Sequence, residues 1–313
     1  MKRVMKRIGV IGSVNRDLVV HPDGSRTAGL GGILYTVLAL AWLGHPEVEV
    51  WPILRLGRDA VEPTLDLLAG VPGVRLDGVE QVSRPAFRCE LRYRQDGSKV
   101  ERLTGTIEPL AVERLGPLLA GLDGLLVNFI TGYELRLDDL SLLRQRLAGP
   151  RCPLLMDVHS LTLGRRRDGE RYWRRPRRWR DWVGGADVVQ LNEAEASLLA
   201  GSGPAGPADL DLLAEALLDC GPRAAVITRG PLGAVAYERF GTALRSYRSA
   251  AEEPGRAVDP TGCGDVFLAA LALGWLRQEP LPEVVAWACR VAGSHSRIAG
   301  LVGMSALAEL RRG

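Results

Sequence analysis

Apolar residues fall along this chain in two alternating rhythms. Short, nearly continuous apolar runs bounded by Gly, Pro, Asn or Asp predict strands at Ile8–Gly12, Val48–Leu54, Gly124–Val127, Pro153–Asp157, Val188–Leu191, Ala224–Thr228 and Ala234–Tyr237. Between them, apolar positions three and four apart predict helices over Ile33–Leu43, Val61–Ala69, Ala111–Ala120, Leu137–Leu147, Glu193–Leu199, Asp209–Cys220, Gly264–Leu276 and Pro282–Ile298. This alternation is the pattern of an α/β fold, a mainly parallel sheet with helices on both faces. Ligands of such sheets bind beyond the carboxyl ends of the strands, so the polar residues just after each apolar run are the first candidates for chemistry.

One segment breaks the rhythm. From Arg84 to Leu103 the residues alternate with period two around Gln95-Asp96-Gly97-Ser98, which predicts a β-hairpin standing off the sheet. The stretch Gly201–Pro207 reads as a surface loop. With no internal repeat and no linker-like tract, a single domain over 1–313 is expected.

Composition narrows the class without naming a function. At 313 residues, 46% hydrophobic and 25% charged, the chain can bury a full three-layer core. The basic start Met1–Arg7 is followed by too short an apolar run for a signal peptide, and no run approaches the ~18–20 residues of a membrane span. Cys89, Cys152, Cys220, Cys263 and Cys289 are an odd set without close pairs, which predicts free thiols and a cytoplasmic location.

A net charge of +3 does not imply a polyanion partner, but the positive charge is uneven. Arg165–Arg180 holds nine arginines with Tyr172, Trp173 and Trp179 among them. An arm packed on the body or on a second copy, as in a homodimer, is weighed first; a site for a phosphorylated small molecule comes second, and a nucleic-acid surface last.

The most informative residues are Asp259-Pro260-Thr261-Gly262-Cys263-Gly264-Asp265, a glycine turn running into an apolar helix with a carboxylate in its first turn. Unpaired N–H groups and the positive end of the dipole at a helix start can hold an anion such as a phosphoryl group. A carboxylate at the same place would repel that anion unless it does proton chemistry on an incoming hydroxyl. Taken singly, the glycines are an ordinary turn and Asp265 an ordinary dipole partner.

Taken together, the heptad resembles the second signature of the PfkB (ribokinase-like) carbohydrate kinases, Asp-Thr-x-Gly-Ala-Gly-Asp. That resemblance implies a ribokinase-like three-layer sandwich with a small β lid. It makes Gly262, Cys263 and Gly264 the anion hole and Asp265 the catalytic base, with Asp259 and Thr261 on the nucleotide side. It covers the chain in order. Gly12-Ser13-Val14-Asn15-Arg16-Asp17 and Gly31-Gly32 resemble the family's N-terminal pattern and place Asn15, Asp17, Gly31 and Gly32 on the substrate. Thr36 stands where the family has Asn, which implies a different hydroxyl pattern in the substrate, and Asn128 is a weaker substrate candidate. The stretch between Asp17 and Gly31 is short for this family, so a reduced lid is expected, with segments near 16–30 and 84–105.

Asn192-Glu193-Ala194-Glu195 matches the family's Asn-x-x-Glu. Asn and Glu three apart share a helix face and suit a hydrated Mg²⁺, although a capping box has the same spacing. Thr228-Arg229-Gly230-Pro231-Leu232-Gly233 resembles the turn under the nucleotide phosphates, giving Thr228, Arg229, Gly230 and Gly233. His159, after Asp157, replaces an Asn of the family and is read as structural. The helix over 282–298 and the turn over 299–304 match the adenine-pocket region in position only. The resemblance thus implies ATP as co-substrate, Mg²⁺, and in many members K⁺, for phosphorylating a hydroxyl of a sugar or nucleoside. The alternative is a catalytically silent sensor or scaffold of the same fold, which the loss of Asn at Thr36 favours and the intact Asp265 opposes.

Overall fold

In a computed structural model, residues 5–95, 99–147, 152–203, 209–251 and 259–312 are described. The centre of the expected hairpin turn, 96–98, and residues 204–207 of the expected loop lie outside the described residues.

Alternation along the strands builds two cores. Strands β1 (Lys6–Ile11), β4 (Val48–Gly57) and β5 (Val79–Val82) pair in parallel with each other, and β1 pairs with β8 (Gly124–Asn128). From β8 the parallel sheet continues through β9 (Leu154–Asp157), β12 (Val188–Asn192) and β13 (Ala224–Thr228). The antiparallel β14 (Ala234–Phe240) and β15 (Ala243–Ser249) complete nine strands in the order β15-β14-β13-β12-β9-β8-β1-β4-β5. Val10, Leu126, Leu155, Val188 and Val226 enter one core; Ile11, Val127, Met156, Val189 and Ile227 enter the other.

Helices α1 (Leu34–Gly44), α2 (Val61–Leu68), α8 (Cys263–Leu276) and α9 (Leu281–His295) cover the first face. Helices α3 (Gly116–Ala120), α4 (Leu137–Arg146), α5 (Trp179–Val183), α6 (Glu193–Ala200) and α7 (Leu210–Leu218) cover the second. Helix α8 is apolar all round, and residues Val266 to Leu273 are all buried as it packs between α1 and α9. The helix expected over Ala111–Ala120 is a 3₁₀ turn, Val112–Leu115, followed by the short α3. Gly116-Pro117 divides them, because Pro117 has no N–H to give to the turn before it and fits only a helix start.

The lid is a four-stranded sheet drawn from the stretches near 16–30 and 84–105. The short stretch after β1 pairs with itself as β2 (Val14–Val20) and β3 (Arg26–Gly32), and β2 lies parallel to β6 (Phe87–Tyr93), which pairs with β7 (Lys99–Thr104). A two-stranded hairpin, β10 (Leu163–Arg165) and β11 (Arg171–Trp173), comes from the arginine-rich segment and docks on the outer edge of β7. Most arginines of that segment are exposed, but Arg171 is buried, Arg165 donates to the Gly105 carbonyl at 2.8 Å, and Asp168 pairs with Arg102 of β7 at 3.3 Å.

Candidate active site

The parallel strands end in a row of polar residues. Asn128 pairs in register with Asp157, Gln190 with Asp157, and Asn192 with Thr228, so β8, β9, β12 and β13 present their last side chains along one edge. The start of α8 closes over this edge. Gly262 caps the helix at φ +81°, where a Cβ would lie 2.4 Å from the Tyr35 ring, so only glycine fits the turn. Asp259 accepts the Thr261 amide at 2.9 Å, and buried His295 bonds the Thr261 carbonyl at 2.9 Å, so both brace the turn from behind. The Cys263 amide is taken by the Pro260 carbonyl at 3.2 Å. Gly262, Cys263 and Gly264, expected to form an anion hole, all line one cavity.

Asp265 projects from the first turn of α8 into a cavity of about 550 Å³ that runs from the lid to α9. Burial pushes its carboxyl up to about 7; His159 and the Asn128 hydrogen bond pull the other way, and the charge of Asp157 adds to the rise. Asn128 Nδ2 holds Oδ1 of Asp265 at 2.5 Å and reaches Thr36 Oγ1 at 3.4 Å. Both Asn128 and Thr36 are fully buried, so they stand behind Asp265 and not in the cavity wall.

Asp157 is also raised to about 7, by burial first and then by the charge of Glu195. Burial works against the His159 cation, but Glu195, Asp157 and Asp265 outweigh it and hold its pKa above the ordinary histidine value. His159 lines the cavity at a left-handed φ of +28°, with its ring against the Phe129 carbonyl and Ser160. Gln190 links the two halves of the site: its Nε2 donates to Asp157 Oδ2 and to the Gly264 carbonyl, each at 2.9 Å.

Asn192 and Glu195 form a closed capping box. The Asn192 amide and Nδ2 donate to the two oxygens of Glu195 at 2.8 and 2.6 Å, and the Glu195 amide donates back at 2.9 Å. Among the described residues no three His, Cys, Asp or Glu side chains are grouped to hold a metal directly. The crowding of Asp157 by Glu195 is what a divalent cation relieves, and with both Glu195 oxygens engaged the set fits an ion that keeps its water shell. Thr228, Gly230, Gly233 and Thr261 line the cavity beside Asn192. Arg229 does not; it is paired with Glu193 at 3.1 Å. From α9, Cys289, Ala292, Gly293 and Ser296 complete this end, while the turn over 299–304 stays outside the wall.

The lid supplies the other end. Asn15, Asp17 and Gly32 line the cavity, and Gly31 sits behind them, where a Cβ would lie 1.8 Å from Asp17 Oδ2. Oδ1 of Asn15 and Oδ1 of Asp17 are buried without a hydrogen-bond partner among the described residues. Asp17 is raised to about 7 by burial, then by Glu101 and Asp265. Glu101, on β7, lines the cavity, and Arg171 of β11 lies 3.9 Å from it. Gln190, Glu101 and Arg171 were not legible as site residues, although Gln190 has a signal, a lone amide inside the apolar run Val188–Leu191.

Residues 171–295 match the model of the pfkB carbohydrate kinases. That stretch of the chain is similar to the family. The chain is 26% identical over 276 residues to a cytidine kinase of Thermococcus kodakarensis, across 88% of this chain and 91% of the relative. Its fold matches an Arabidopsis thaliana ribokinase solved with ribose and ATP, with a TM-score of 0.74 at 18% identity over 98% of each chain. A Burkholderia thailandensis nucleoside kinase solved with inosine matches with a TM-score of 0.69 at 18% identity, over 95% of this chain and 94% of that one.

Proposed function

We propose that this protein transfers the γ-phosphoryl group of ATP to a hydroxyl of a sugar or nucleoside, with Asp265 as the general base. The observation that carries the reading is a buried carboxyl, titrating near 7, placed in one cavity beside the Gly262–Gly264 amides of a helix start. A base works best with a pKa near the working pH, and amides at a helix start stabilise charge on a transferring phosphoryl group.

The acceptor lies against the lid. Its hydroxyls donate to Asn15 Oδ1 and Asp17 Oδ1, which have no partner among the described residues. With Oδ1 of Asp265 tied to Asn128, Oδ2 takes the proton of the attacking hydroxyl. ATP lies along Thr228, Gly230 and Gly233, with its base toward Ala292 and Ser296 of α9. Asn192 and Glu195 would hold a hydrated Mg²⁺ near Asp157, and that ion supplies the charge neutralisation phosphates need beside so many carboxylates. Positioning and electrostatics carry most of the acceleration.

The test is ADP release from ATP and Mg²⁺ over a panel of pentoses, hexoses and nucleosides, with and without K⁺, beside the Asp265→Asn protein. The expected result is turnover on at least one acceptor, reduced roughly 10²–10⁴-fold in the variant, with ATP binding retained. No turnover on any acceptor with ATP still bound would return the protein to the sensor reading.

A further inference from the structure

The inner face of the lid changes character along its length. Asp17 pairs in register with Cys89, Leu91 with Glu101, and side chains on one face of a sheet recur every second residue. Leu91 and Glu101 therefore stand one pleat, about 7 Å, beyond Asp17 and Cys89, with Tyr93 one pleat further. Leu91, Tyr93 and Glu101 all line the cavity. Past the acceptors expected for sugar hydroxyls, the lid thus offers Leu91, the Tyr93 ring with its hydroxyl, and one carboxylate, Glu101.

Glu101 is held from behind. The Arg171 side chain is only 2% exposed, and it donates to the Thr131 carbonyl at 3.0 Å and the Ser160 carbonyl at 3.4 Å. Tethered to the body at both carbonyls, the guanidinium cannot follow Glu101 outward. Its Nε lies 3.9 Å from Glu101 Oε1 and has no hydrogen-bond partner among the described residues. That distance is too long for a hydrogen bond, so Arg171 faces the carboxylate without taking up its lone pairs. An ionised carboxylate only accepts, and flat apolar walls suit a ring.

We infer that Glu101, held by Arg171 and flanked by Leu91 and Tyr93, recognises the exocyclic amino group of a nucleobase, so that the acceptor is an amino nucleoside of the cytidine or adenosine kind. This rests on the kinase reading above. An oxo group in place of the amino group would turn carbonyl lone pairs toward the carboxylate.

The experiment compares kcat/KM for cytidine against uridine and adenosine against inosine. The amino member of at least one pair should be favoured roughly tenfold to a hundredfold, the range for a hydrogen bond to a charged group. Glu101→Gln should bring that ratio toward one, because an amide both accepts and donates. Equal efficiencies in the wild type, or a ratio unchanged in the variant, would overturn the inference; should the variant not fold, the wild-type ratio decides. Calorimetry of the same nucleosides on the Asp265→Asn protein separates the two readings. Tighter binding of the amino nucleoside supports the inference even where turnover fails, and equal or absent binding sinks it. Phosphorylation of free sugars with no nucleoside bound would overturn the inference and leave the kinase standing.

Discussion

Nδ2 of Asn128 lies 2.5 Å from Oδ1 of Asp265, joining the end of β8 to the first turn of α8 across 137 residues. The bond favours the ionised carboxylate, while burial disfavours it. The base is poised near neutrality by that opposition.

Removing the amide tips the balance. In Asn128→Leu the pKa of Asp265 should rise above about 7, and a base works only when ionised, so the acid limb of the pH profile of kcat/KM should move to higher pH. Activity at neutral pH should fall about tenfold and recover in alkali. A uniform loss at every pH would mean that Asn128 serves only packing.

Gly262→Ala tests the turn. The new methyl meets the Tyr35 ring at a left-handed φ, so the turn must move. A loss of about 1–2 kcal/mol in stability and at least about a hundredfold in kcat is expected, from urea unfolding and steady-state assays.

Asp265 and its turn were legible because they are contiguous in sequence: Gly262, Gly264 and Asp265 announce a helix start. Asn15 and Asp17 could be named as polar residues after β1 but not placed on a lid strand, since Asn, Arg and Asp interrupt the alternation that marks β2. Asp157, Gln190, Glu101 and Arg171 act through partners far away in the chain. The register of β9 with β12 sets Gln190 beside Asp157, that of β6 with β7 sets Glu101 beside Leu91, and the β10–β11 hairpin docked on β7 brings Arg171 to Glu101.

Stability should fall as pH rises from about 4 to about 7. Asp17, Asp157 and Asp265 are each raised to about 7 in the fold, chiefly by burial, so the native state keeps protons that the unfolded chain has already released in that window. Urea midpoints should decline from about pH 5 to about pH 8, and Asp17→Asn should flatten the decline by on the order of 1–3 kcal/mol. A midpoint that rises over this range would contradict the burial of these carboxyls.

Arg171→Met should loosen the lid. Two buried carbonyls lose their donors, at a cost of about 2–4 kcal/mol, and the acceptor KM should rise about tenfold while the KM for ATP stays. Arg171→Lys should not restore it, because a single ammonium cannot span both carbonyls.

The hairpin that carries Arg171 also changes the fate of β7 before any ligand arrives. β7 is the last strand of the lid sheet, and beyond it lie the Arg102–Glu170 bridge and the Leu103 amide bonded to the Gly169 carbonyl. A strand at the margin of a sheet is a template for pairing with other chains, and a charged neighbour laid along it blunts that tendency. The neighbour is made more than sixty residues after the strand it covers. A nascent or clipped chain ending before residue 163 would therefore carry a bare, adhesive margin, and solubility during synthesis depends on the arginine-rich segment arriving in time.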